Sequence, residues 1–158
     1  MRRKAEQTDE ELVLQKIRYF CSYQERSVRE TEEKLRDWAV QRKRIPGIIR
    51  QLREEGYIDE KRFAIAFAGG KFRQNKWGRQ KIGFELRLRG LSDKLVIEGI
   101  KAIDEEEYLK VLHSLILRKK NELKPENEPV SREKIINFVH GKGYEIDLIL
   151  AALKELKI

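Results

Sequence analysis

Apolar residues recur every three or four positions along almost the whole chain, between dense runs of charge. Strict apolar–polar alternation is absent. That period predicts α-helices throughout and no strand. The first helix starts near Thr8 or Asp9 and runs to about Tyr23, with Val13, Ile17, Phe20 and Gln24 at helical intervals and Leu14 and Cys21 beside them. Ser27 and Glu30 form an S-x-x-E capping box that opens a second helix. Its inner face, Thr31, Leu35, Trp38 and Ala39, is thinly apolar. Pro46 suits the first turn of a third helix, where its missing N–H costs nothing. Ile45, Ile48, Ile49 and Leu52 face inward there, and Gly56 supplies the left-handed stop.

The remaining elements follow the same logic. Asp59 caps a fourth helix whose inner face is Phe63, Phe67, Gly70 and Gln74. Gly69-Gly70 costs about 1 kcal/mol per glycine inside a helix, so either two backbones approach closely there or the helix breaks. A fifth helix covers 78–89. Ser92 or Asp93 caps a sixth, with Leu95, Val96, Ile97 and Ile100. Asp104 caps a seventh, with Tyr108, Val111, Leu112, Leu115 and Ile116. Lys124–Pro129 is a loop by composition. Ser131 starts an eighth helix, with Ile135, Ile136 and Val139. A ninth starts at or just before Asp147, with Ile146, Ile149, Leu150, Leu153 and Leu156.

Helices two, five and eight begin at Ser27, Gly78 and Ser131, a spacing of about 50 residues that signals a repeat architecture. Arg79-x-Lys81-Ile82 matches Arg132-x-Lys134-Ile135, Leu86 matches Val139, and Arg89-Gly90 matches Lys142-Gly143. The expectation is an all-α chain of three tandem three-helix, helix-turn-helix-like repeats in an elongated, curved arrangement. Residues 1–9 would be a flexible tail, 10–57 the first repeat, 58–103 the second and 104–158 the third.

Charge changes this picture in one place. The 158 residues carry a net +8, and residues 61–101, with 11 Lys/Arg against 3 Asp/Glu, hold all of the excess. Such a segment repels itself unless an anion faces it, so nucleic acid or an acidic protein surface is the expected partner. Cys21 stands alone, which excludes an intramolecular disulfide and suits a small core residue. No apolar run approaches the roughly 20 residues of a membrane span, and no apolar run follows the basic N-terminus. A cytoplasmic protein is expected, without membrane association.

Catalytic hardware is sparse. His113 and His140 lack paired metal-ligand spacing, and Gly69-Gly70-Lys71 ends in Phe72 where a phosphate-binding loop needs Ser or Thr. No catalytic residue, cofactor or metal site is expected. Binding hardware is richer. Arg62, Arg73 and Lys76 share a face of the fourth helix with Gly69 between them, where a bare backbone flanked by cations admits a phosphate chain. In the fifth helix, Ile82 and Leu86 mark one apolar face and Phe84 and Leu88 a nearly opposite one. The helix is therefore expected to be gripped from two sides, with Arg87 on one rim and Lys81 and Arg89 on the other. Trp77 can stack on a base or an arginine, or belong to the core. Lys119 and Lys120 form a small basic cluster that also complements the end of the seventh helix. The candidate contacts are Arg62, Arg73, Lys76, Arg79, Lys81, Arg87 and Arg89.

Three segments carry a resemblance. Gly56-Tyr57-Ile58-Asp59-Glu60-Lys61-Arg62-Phe63-Ala64 is similar to the G-[YL]-[IL]-D-[DE]-x-[RK]-[FY]-A segment of RecX proteins, bacterial regulators of the RecA recombinase. Gly78-Arg79-x-Lys81-Ile82-x-x-x-Leu86-x-x-Arg89-Gly90-Leu91-Ser92 resembles that family's G-x-x-[KR]-I-x-x-[ED]-L-x-x-[KR]-G-[IV]-S. Arg26-Ser27 through Leu35 resembles its R-S-x-x-E-L-x-x-K-L, with Thr31 departing from the pattern. The resemblance runs from about residue 11 to 157. It implies three tandem three-helix repeats, binding along the groove of a RecA–DNA filament, and inhibition of RecA's ATPase, strand-exchange and co-protease activities without catalysis. The expected partners are the RecA filament with single- and double-stranded DNA, and the chain is expected to be a monomer. Two other readings fit the residues: a helix-turn-helix DNA-binding protein acting without RecA, and a helical-repeat protein-interaction scaffold.

Overall fold

The computed structural model describes residues 2–124 and 127–158, and among these every regular element is helical. Nine α-helices follow in chain order: α1 Arg2–Tyr23, α2 Val28–Asp37, α3 Ile45–Glu54, α4 Glu60–Asn75, α5 Arg79–Leu88, α6 Asp93–Lys101, α7 Glu105–Glu122, α8 Glu128–Gly141 and α9 Ile146–Glu155. A short 3-10 turn, Arg42–Arg44, precedes α3. The helix starts differ from expectation at two places. Helical backbone begins at Arg2 rather than Thr8 or Asp9, in a stretch where Ala5, Glu6 and Gln7 are all good helix formers. Met1, within the expected tail, lies outside the described residues. So do Pro125 and Glu126 of the expected loop, while α8 starts at Glu128 with Pro129 in its first turn, a place proline fills without losing a hydrogen bond.

The chain divides into two compact units, residues 1–63 with 89–91, and residues 64–88 with 92–158. The division falls within α4, between Phe63 and Ala64.

In the first unit, Ile17, Cys21, Leu35, Ile45, Ile48, Ile49, Leu52 and Ile58 form the buried core of α1, α2, α3 and the turn after it. The capping box is formed as expected: the Glu30 amide donates to the Ser27 hydroxyl at 3.1 Å and the Ser27 amide to the Glu30 carboxylate at 3.3 Å. The thin apolar face of α2 is explained by Thr31. It is fully buried, and its hydroxyl donates to the Ser27 carbonyl at 2.9 Å, so it packs as an isoleucine would without leaving a polar atom unpaired. Cys21 lies 3.9 Å from that hydroxyl, a core residue as its position in the pattern suggested, and burial pushes its thiol pKa up.

In the second unit, α7, α8 and α9 pack on one another and α5 packs on α6. The inner face of α4 there is Ala64, Ala68 and Phe72, all buried, whereas Phe67 is half-buried and Gln74 exposed. Of the expected face Phe63, Phe67, Gly70 and Gln74, Phe63 is buried as expected, and from Ala64 onward the buried face lies one step round the helix. Small side chains decide it. A Cβ on Gly99 of α6 would meet the Ala64 carbonyl at 2.7 Å, so Gly99 and Ala64 are what let α6 and α4 touch. The helix does not break at Gly69-Gly70, and no second backbone approaches: a Cβ at Gly70 would meet nothing within 4 Å among the described residues. The two-sided grip on α5 is also corrected. Ile82 and Leu86 are fully buried, but Phe84 and Leu88 are 59% and 53% exposed.

Candidate nucleic-acid interface

The second unit is organised around the joint between α4 and α5, held by the turn between α8 and α9. The Gly78 amide donates to the Lys142 carbonyl at 2.8 Å and the Gln80 amide to the Gly143 carbonyl at 2.9 Å. Two free N–H groups of the first turn of α5 are thus capped by the α8–α9 turn. Backbone contact this close needs glycine on both sides. A Cβ on Gly78 would sit 2.3 Å from the Gly143 carbonyl carbon, and one on Gly143 would sit 2.4 Å from the Lys81 Cβ. Tyr144 closes the joint by donating to the Lys76 carbonyl at 3.0 Å. Its ring stacks on Tyr108 at 5.0 Å between centroids, and Tyr108 meets Phe72 at 5.7 Å.

Arg79 locks this joint. Its guanidinium pairs with Glu145 at 3.0 Å and with Glu105, and lies 3.9 Å above the Tyr108 ring. Its amide donates to the Tyr108 hydroxyl at 3.0 Å, and that hydroxyl donates to Glu145. Burial, joined by the neighbouring Glu145, raises the Tyr108 pKa well above the usual phenol range, so the hydroxyl stays protonated and keeps both bonds.

A basic surface surrounds the joint. Lys71 of α4 and Lys81 of α5 flank Trp77, their ammonium groups 5.0 and 4.6 Å from the ring centre. Trp77 is half-buried, edge-on to Phe67 at 6.5 Å, so it is both an anchor and a platform for cations. Lys142, at the end of α8, donates to the Asn75 carbonyl at 3.1 Å and lies 5.9 Å from the Phe138 ring, which Lys119 approaches from α7 at 4.9 Å. The Lys142 pKa is lowered by burial and then by the charges of Arg118, Lys81 and Lys76. Cations from α4, α5, α7 and α8 therefore share one field. Among the described residues, Lys71, Lys76, Lys81, Lys119 and Lys142 have no carboxylate partner. Arg118 pairs with Glu122 one turn on, at 3.3 Å, with both side chains more than half exposed. Such a collection is self-repelling until an anion binds, and it suits phosphates flanked by aromatic rings.

The seven residues singled out from sequence separate by environment. Lys76 and Lys81 belong to this field. Arg73 is exposed, with its guanidinium lying across Gly69, 2.8 Å from where a Cβ would stand. Arg79 is the lock just described. Arg87 pairs with Asp93 at 2.9 Å. In the first unit, Arg62 pairs with Glu25 at 2.5 Å and donates to the Gly56 carbonyl at 2.9 Å, while Arg89 lies 4.0 Å from Glu30. Lys71, Arg118 and Lys142 were not singled out. Lys71 adjoins the glycine pair, and the register matching Lys142-Gly143 to Arg89-Gly90 was a signal for Lys142. Only the fold shows that α7 and α8 end beside the α4–α5 joint.

Among the described residues no helix is long and apolar enough to cross a membrane. Residues 59–99 match the family model for the second three-helix domain of RecX. The chain is 28% identical over 144 residues to the regulatory protein RecX of Bacillus cytotoxicus, covering 91% of this chain and 53% of that one. It is 29% identical to the corresponding protein of Bacillus cereus over the same shares. The chain thus spans about half the length of the curated relatives it matches. The crystal structure of RecX from Lactobacillus salivarius superposes with a TM-score of 0.85 at 21% identity, covering 95% of this chain and 97% of that one. A second RecX crystal structure gives 0.79 at 18% identity, covering 86% and 67%. At those identities the structures speak for the fold, which is three consecutive sets of three helices. The chain is thus similar to RecX proteins over nine-tenths of its length, with residues 59–99 matching their second three-helix domain.

Proposed function

We propose that this chain is a non-enzymatic regulator of the RecA recombinase, a cytoplasmic monomer that binds the RecA–DNA filament and lowers its ATPase, strand-exchange and co-protease activities. The similarity to RecX proteins supports the partner. The observation that carries the mode of binding is the carboxylate-poor field around Lys142, because a filament of protein on DNA presents both phosphates and acidic protein surface. In this reading Lys71, Lys76, Lys81, Lys119 and Lys142 contact the filament directly, with Arg73 beside them and Arg118 released from its exposed pair. Arg62, Arg87 and Arg89 join only by exchanging their carboxylates for the partner's, and Arg79 supports the surface from behind.

The test is binding to RecA assembled on single-stranded DNA, followed by anisotropy across a salt series. Each phosphate contact contributes about 0.7–0.9 to the slope of log K against log salt. Lys81→Ala with Lys142→Ala should flatten that slope by between one and two units. An unchanged slope would mean that these lysines do not meet phosphate. Binding to naked operator-like duplex with sequence preference, and none to the filament, would favour a helix-turn-helix protein acting without RecA.

A further inference from the structure

One edge of α1 carries rings that the core does not bury. Tyr19 and Tyr23 lie one helical turn apart and are 73% and 75% exposed. Phe20, between them in sequence, is half-buried against the first unit's core, as is Trp38 at the end of α2. These four rings, with Gln15, Lys16, Arg26 and Lys34, line an open groove of about 640 Å³ that has no aspartate or glutamate in its lining.

The cations are held against the rings. The Arg26 guanidinium lies 3.9 Å over the Phe20 ring while its Nε donates to the Phe20 carbonyl at 3.1 Å. The Lys34 ammonium stands 5.5 Å from Phe20 and 5.8 Å from Trp38. Fixed positive charge beside exposed aromatic faces fits a polyanion whose own flat rings are free to stack. Single-stranded nucleic acid has both features. A duplex hides its base faces, and an acidic peptide does not repeat a ring beside every charge as a single strand does.

We propose that the α1–α2 groove is a stacking platform for single-stranded nucleic acid, with bases on Tyr19 and Tyr23 and phosphates on Lys16, Arg26 and Lys34. This site belongs to the first unit, uses none of the lysines around Lys142 and needs no recombinase.

The test uses the full chain alone with a fluorescent oligo(dT) of roughly 12 nucleotides, within the usual site size of single-strand-binding domains, and a duplex of equal length. Tyr19→Ala with Tyr23→Ala should weaken oligo(dT) binding by tenfold or more and leave the duplex nearly unaffected. Both rings are exposed, so unchanged circular dichroism checks that the fold is intact. Lys16→Ala should lower the single-strand salt slope by about 0.7. In a Trp77→Phe background, Trp38 fluorescence should be quenched by oligo(dT). Three results would overturn the proposal: no oligo(dT) binding, equal losses for single strand and duplex, or full affinity in the tyrosine double variant. Failure here with intact inhibition of RecA leaves the functional reading standing. The reverse result leaves the platform standing without it.

Discussion

Replacing Gly143 by alanine tests whether the α4–α5 joint organises the second unit. Gly143 has φ +102°, outside the range that side chains tolerate. An added Cβ would lie 2.4 Å from the Lys81 Cβ, 2.6 Å from the Lys81 amide nitrogen and 3.0 Å from the Gly78 carbonyl oxygen. None of these neighbours is the free end of a flexible chain, and the joint's two capping hydrogen bonds hold them in place. A left-handed backbone costs a residue with a Cβ about 1–2 kcal/mol. Overpacking adds about 1–3 kcal/mol. The sum is roughly 2–5 kcal/mol, which in a chain of this length lowers Tm by on the order of 10 °C. The assay is thermal and urea unfolding followed by Trp77 fluorescence in a Trp38→Phe background, so that the second unit is read directly. Gly141→Ala is the control. That position lies in the last turn of α8, has nothing within 4 Å of a new Cβ, and should change stability by about 1 kcal/mol or less in the stabilising direction. Reaction of Cys21 with a thiol reagent reports the first unit in the same samples, and its protection should persist while Trp77 shows loss of the second. Equal stability of the two glycine variants would refute the joint as described.

Arg79→Met should cost about 2–3 kcal/mol, because it leaves the largely buried Glu145 without its cation and removes the cation from the Tyr108 face, yet leave the salt slope of filament binding unchanged. A flattened slope with unchanged urea midpoint would reverse the roles assigned to Arg79 and Lys142. Gly70→Ala, inside α4 with open space around it, should raise stability by up to about 1 kcal/mol, read as a higher urea midpoint. Lys142 has a folded-state pKa below its unfolded one, so its charge disfavours the folded state at every pH below the folded value, and that penalty lifts as pH rises through it. A bound polyanion removes the repulsion, so the Lys142 ammonium, followed by NMR, should titrate at higher pH in the complex than in the free chain. An unchanged titration would place the anion elsewhere.

Much of the fold was legible because helical period and caps are local properties. Ser27 with Glu30, Ser92 and Asp104 all cap where the sequence put them, and Gly56 takes the left-handed stop. The errors share a cause. Weighing faces by large apolar side chains put Phe67 inside α4, with Gln74 carried along by spacing, and put Phe84 and Leu88 inside α5. The contacts are set instead by Ala64, Ala68 and Gly99, whose small size leaves a weak hydropathy signal but allows backbones to meet. Charge showed a similar limit. The excess in residues 61–101 was plain, but pairing is tertiary, and only the fold separates Arg79, held by two carboxylates and a tyrosine ring, from Lys81, which faces Trp77 and other cations. Lys142 lies in a stretch with no net positive charge and reaches the basic field only because Gly78 and Gly143 let two turns touch.

The most direct test of the account is the single-strand-dependent ATPase of RecA with this chain titrated in at physiological salt. Inhibition should be progressive, reach saturation and weaken as salt rises, with the Lys81→Ala, Lys142→Ala pair requiring more protein for the same effect. Undiminished ATPase at saturating protein would contradict it.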